Sequence, residues 1–240
     1  MKDNKDRDEV LAAVKKDGYA LSNADESLQK DKEVVMAAVK QSGAAIMHVD
    51  ESLKKDREIT MAAVMQDGTA INWVDTSFKG DREVVLAAVT QRGEALNSAD
   101  EALKNDLEIV SAALKQNGRV LEYADESMRK NREAVILAVE QDGFSLEYAD
   151  ESLKKDREIV LAAVNQIGYA LQFVDESLMA DREIVIAAVK KDGYAFEYAD
   201  ESLKKDREFV KEVIQYDGDA LEEAAEELQN DPELKKLAEG

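Results

Sequence analysis

Glycine returns at a fixed interval along this chain. Gly18, Gly43, Gly68, Gly93, Gly118, Gly143, Gly168, Gly193 and Gly218 stand 25 residues apart, with no insertion or deletion between them. Aspartate keeps the same phase at Asp6, Asp31, Asp56, Asp81, Asp106, Asp156, Asp181, Asp206 and Asp231, and Asn131 fills the one gap. A fixed period of this length marks a solenoid, in which each repeat is stable only against its neighbours. Nine repeats run from Asp6 to Asn230, and residues 231–240 follow as a C-terminal cap.

Each repeat reads as two helices. In the second, Asp31 is a good N-cap and Glu33 sits in the first turn, where the helix dipole favours it. The run "VVMAAV" follows. Gly43 then supplies the left-handed residue that ends a helix at little cost. The next helix places Ile46, Val49 and Leu53 on one face. Glu51 and Lys55 form an i, i+4 pair, repeated as Glu26/Lys30, Glu126/Lys130, Glu151/Lys155 and Glu201/Lys205. These pairs carry the second helix through to the next capping aspartate. A break near Asp50, leaving a short helix and a turn, is the lesser alternative.

The first helix is apolar around much of its circumference, as in "IVLAAV", so neighbours on both sides must cover it. The ends are more polar. Glu9 stands where later repeats have Val34 or Ile59, and Lys211 and Glu212 stand where Leu161 and Ala162 do. The expectation is an all-α fold: one α-solenoid domain over residues 1–240, nine two-helix repeats with polar terminal caps, complete and monomeric.

The repeat "DREVVLAAV…G…AL…A…L" resembles a tandem-repeat family of unknown function, domain of unknown function four-one-one-six. The likeness covers nearly the whole chain. It implies helical repeats and no established activity.

Chemistry is sparse. With no cysteine there are no disulfides, thiolate nucleophiles or cysteine metal sites. The only histidine, His48, is matched in adjoining repeats by Asn23 and Trp73, so it reads as a surface residue. Ser27, Ser52, Ser77, Ser127, Ser152, Ser177 and Ser202 recur, and in every repeat but the second there is no histidine to act as a base, which makes them structural. The column Asp25, Asp50, Asp75, Asp100, Asp125, Asp150, Asp175 and Asp200 lacks a calcium-loop pattern. It reads as a solvated face whose carboxylates pair with lysines such as Lys54 and Lys154. Gln41, Gln66, Gln91, Gln116, Gln141 and Gln166 are placed to bond helix ends or neighbouring repeats. No enzyme, cofactor or metal is expected. The N-terminus shows no signal peptide and no run is long enough to span a membrane, so the expected location is cytoplasmic. A net charge of −21 repels nucleic acid and anionic membranes and favours basic partners.

What varies between repeats is free to bind. The residue after each glycine, and those three and four further on, change from repeat to repeat and share one helical face. Nine of the thirteen aromatic residues lie in the first and third of these columns. The candidate strip is Trp73, Glu122, Tyr123, Phe144, Glu147, Tyr148, Tyr169, Phe173, Tyr194, Glu197 and Tyr198. The functional expectation is a non-enzymatic helical scaffold that binds a protein or peptide, possibly basic, on this strip. The alternative is a structural spacer, or a consensus-derived scaffold, with no ligand of its own. Sequence leaves open whether the rings are exposed or packed between helices.

Overall fold

The computed structural model describes residues 4–239. It is an all-α solenoid, and its contacts group into an N-terminal and a C-terminal half with the boundary between Asp125 and Glu126. In the N-terminal half the first helices of the repeats are Arg7–Lys16, Lys32–Gln41, Arg57–Gln66, Arg82–Gln91 and Leu107–Gln116. In the C-terminal half they are Arg132–Gln141, Arg157–Gln166, Arg182–Val189 and Arg207–Val213. The phased aspartates cap them as the spacing predicts: Asp31 accepts from the backbone N–H of Glu33 and of Val34. Asn131 does the same work with one bond, from the N–H of Ala134. Val34, Val35, Ala38 and Val39 are fully buried, and so are their counterparts Ile159, Val160, Ala163 and Val164.

The second helix is shorter and tighter than its i, i+4 pairs suggest. It is a six-residue 3-10 helix, such as Gly43–His48 or Gly168–Phe173, and the lesser alternative of a break near Asp50 is the correct one. Val49 is already extended, at φ −77° and ψ 142°. Asp50 then opens a turn by accepting from the Ser52 N–H at 3.0 Å and the Ser52 hydroxyl at 2.6 Å. A short polar side chain that bonds its own backbone two residues on competes with helix continuation, and here it wins. Of the i, i+4 pairs, Glu126/Lys130 and Glu201/Lys205 form, in two of the three repeats where this turn closes into one α-turn. Lys30 and Lys155 reach forward to Asp50 and Asp175 of the next repeat instead, at 3.6 and 3.4 Å.

The glycines are not left-handed caps. The helix Lys32–Gln41 is closed by Ser42, which is extended and donates its N–H to Ala38 O. Glycine is required because the next repeat lies against it. A Cβ on Gly93 would stand 2.6 Å from Ala113 O, and one on Gly168 would stand 2.5 Å from Ala188 O.

Three further contacts join successive repeats. A backbone bond runs from the N–H of each turn aspartate to the repeat before, as from Asp100 to Lys79 O (2.9 Å) and from Asp200 to Met179 O (3.0 Å). Gln41 accepts the Gly18 N–H at 2.5 Å and donates to Lys16 O, and Gln66 accepts the Gly43 N–H. Gln41 and Gln66 thus bond neighbouring repeats, one of the two roles expected of the six glutamines. The third contact is an ion-pair ladder. The basic residue that opens a first helix, present in every repeat but the one whose first helix starts at Leu107, reaches the N-cap Asp and, in all but one case, the first-turn Glu of the following repeat. Arg7 pairs with Asp31 (2.8 Å) and Glu33, and Lys32 with Asp56 and Glu58. Arg57 and Arg82 repeat this in the N-terminal half. Arg132, Arg157 and Arg207 repeat it in the C-terminal half, where Arg182 reaches Asp206 alone.

The tail is more than a cap. Pro232–Ala238 is a tenth first helix, capped by Asp231 and docked through the fully buried Leu234. The polar ends are as anticipated in character: Glu9 is exposed where Val34 is buried, and Glu212 is exposed.

Candidate binding surface

The 3-10 geometry decides which side chains face out. With three residues per turn, positions i and i+3 eclipse and the two between them turn inward. In Gly168–Phe173 the inward pair is Ala170 and Leu171, both fully buried. Tyr169, Gln172 and Phe173 are left on the outer face. Apart from the buried Ala44, the three variable columns are therefore surface columns in both halves.

In the N-terminal half Trp73 is 37% exposed, Glu122 is exposed and Tyr123 is half-buried. The C-terminal half holds most of the strip. Tyr194 is 36% exposed, while Phe144, Tyr148, Tyr169, Phe173 and Tyr198 are half-buried; Glu147 and Glu197 are exposed. The rings are neither core nor free. The first-column ring of one repeat meets the third-column ring of the next, edge to face: Phe144 with Phe173 and Tyr169 with Tyr198, each at 6.1 Å between centroids. Tyr19 and His48 do the same in the N-terminal half at 6.2 Å. Such pairs contribute about 0.5–1.5 kcal/mol beyond their buried area. Where the columns are polar, hydrogen bonds take the place of stacking: the Ser98 hydroxyl donates to Asn72 Oδ1 at 2.5 Å, and Glu94 accepts at 2.8 Å from Nδ2 of Asn117, the cap residue before Gly118.

The C-terminal strip lies in a negative field. The Asp219 carboxylate, then that of Glu222, pushes the Tyr194 phenol above its ordinary value. Burial, helped by Glu197, raises Tyr198 and Glu223 as well. Two hollows open beside the rings, one repeat apart. One, of about 170 Å³, has Tyr148 as a wall and Glu126, Arg129, Asp150 and Glu151 around it. The other, of about 670 Å³, is formed by Phe173 with Glu151, Lys154, Asp175 and Glu176. Arg129 and Lys154 were not foreseen here. Lys154 is committed to Glu151 at 2.8 Å.

The turn aspartates hold structure. Ser27, Ser52, Ser77, Ser152, Ser177 and Ser202 each donate a hydroxyl to the aspartate two residues before. Their lysine partners differ from those anticipated: Lys54 and Lys154 pair with Glu51 and Glu151, and the aspartates take Lys5, Lys30, Lys55, Lys130 and Lys155 from the repeat before. His48 is half-buried against Tyr19, and burial lowers its pKa. Among the described residues no group of three or more His, Asp or Glu is placed to hold a metal ion, and no helix is long and apolar enough to cross a membrane.

The sequence of the ladder carries a signal that local reading passes over. Within the nine repeats only Leu107 is not basic at the position after the cap, and only Asn131 is not aspartate at the cap. They stand 24 residues apart, the interval of every Arg–Asp rung.

No curated protein and no solved structure matches the chain. The family described as "Domain of unknown function (DUF4116)" matches residues 6–49, 31–79, 81–129, 131–179, 181–229 and 206–238, each of the longer matches taking in about two repeats. With its repeats matched from end to end, the chain belongs to the DUF4116 family.

Proposed function

We propose that the protein is a non-enzymatic binding scaffold, monomeric and cytoplasmic, that takes a basic protein or peptide partner on the aromatic and acidic strip of its 3-10 helices. The observation that carries this reading is the state of the rings in the C-terminal half. Phe144, Tyr169, Phe173 and Tyr198 are preordered by stacking across repeats, yet each keeps part of its surface in water beside exposed Glu147 and Glu197. Rigid aromatics lose little entropy on binding and are common anchors at interfaces. Rings beside carboxylates suit lysine and arginine side chains. The net charge of −21 adds long-range attraction for a basic partner and opposes nucleic acid.

The stacking itself favours the second reading, a spacer whose rings only join its repeats. The test is alanine at Tyr148, Phe173 and Tyr198 together, with capture of partners from native cell extract at low and high salt. Lost capture with helicity and melting retained supports the scaffold. Unchanged capture, or a collapsed melting curve, makes the strip packing and leaves the spacer.

A further inference from the structure

We propose that the occupant of the C-terminal strip is an extended peptide carrying a lysine or arginine at every third residue, one basic side chain for each repeat. The proposal rests on reading the strip as a binding surface and adds the conformation and register of what binds there.

Spacing supplies the register. The hollows at Tyr148 and Phe173 recur with the repeat and share only Glu151. Successive helical layers lie ~8–10 Å apart. A polyproline-type extended chain has three residues per turn and advances ~3.1 Å per residue, so every third side chain returns to the same face after about one layer, while two residues fall short and four overshoot. Seven residues of α-helix also cover ~10.5 Å, but a helix is ~10–12 Å across and needs a continuous trough. The strip offers separate hollows instead.

Charge supplies the side chain. Glu147, Glu176, Glu197 and Glu222 are exposed along the strip. Each hollow sets three carboxylates against one cation: Arg129 beside Tyr148, and Lys154, 15% exposed and held by Glu151, beside Phe173. A basic head reaching a hollow meets a ring and a carboxylate together, and the peptide backbone between anchors stays solvated.

Labelled peptides with equal numbers of lysines, spaced every second, third or fourth residue in a glycine-serine background, are titrated against the full chain by fluorescence anisotropy. A helix-forming peptide with lysines seven apart is a fourth probe. The three-residue spacing is expected to bind about tenfold more tightly than the others. That advantage should vanish in the Tyr148→Ala/Phe173→Ala/Tyr198→Ala variant. It should vanish too in Glu147→Lys/Glu197→Lys/Glu222→Lys, whose exposed positions leave the fold intact, as circular dichroism verifies. Equal binding at all spacings, no binding, or a preference for the helical probe overturns the register. If binding is equal at all spacings but still lost in the ring variant, the strip survives as a binding surface and only the register fails. Binding that ignores the ring variant overturns both.

Discussion

Gly168 and Gly80 show how differently one residue type is used. Gly168 faces the backbone oxygen of Ala188, which cannot move aside, whereas a Cβ on Gly80 would meet Asp100 Oδ2, the free end of a side chain. Gly168→Ala is expected to cost about 1–3 kcal/mol, as overpacking does. Gly80→Ala, at a position that is Lys30 or Lys55 elsewhere, should stay within ~0.5 kcal/mol or stabilise slightly. Urea titrations of the two variants check this. Ser145 is the opposite case. It is fully buried, its hydroxyl has no partner, and the same column holds Ala170 and Ala195. Ser145→Ala should raise stability by about 1 kcal/mol, because a desolvated, unmatched hydroxyl is removed without leaving a hole of any size. A lower denaturation midpoint would count against that account.

At the scale of elements, the exposed ladder organises more than it stabilises. Replacing Arg157 by Ala removes one rung, to Asp181 and Glu183. Exposed ion pairs are weak and screened, so the melting temperature should fall only slightly, and less at high salt. Melting curves in low and molar salt test it. The first helices and their caps were legible from sequence because an N-cap, a first-turn Glu and an apolar run are local signals. The second element was misread for the same reason. Glu51 and Lys55 carry a helical signal, but Asp50 and Ser52 close a turn over it. The roles of Gly168 and of Arg157 were hidden because their partners lie in the next repeat. The strip's columns were legible as positions that vary. That its rings stack from Phe144 to Phe173, 29 residues on, depends on the offset between layers, which no local pattern records.

For the whole molecule the carboxylates set the response to acid. Arg7 and Arg82 hold Asp31 and Asp106 below the ordinary carboxylate range, and the serine hydroxyls do the same for Asp25, Asp50, Asp150, Asp175 and Asp200. Each folded value is depressed, so the stabilisation is complete above the unfolded value near ~4 and is lost as pH falls through the folded one. Acidification from neutrality first relieves repulsion among the −21 charges. The melting temperature should therefore rise slightly towards about pH 5 and drop steeply below about pH 4. Circular dichroism melts from about pH 7 down to about pH 3 test the sign. A protein most stable at pH 3 would contradict it.

The ladder also bears on inheritance. Its partners are fixed as so many residues ahead, never as absolute positions. Loss of the codons for residues 57–81 would join Asp56 to Arg82, and Lys32 would find Asp56 and Glu83 where it now finds Asp56 and Glu58. An in-frame slip of 25 codons thus shortens the array with every rung intact, while a slip of 24 or 26 breaks the rung that spans the junction. A gene built this way can drift in copy number without relearning how its product holds together.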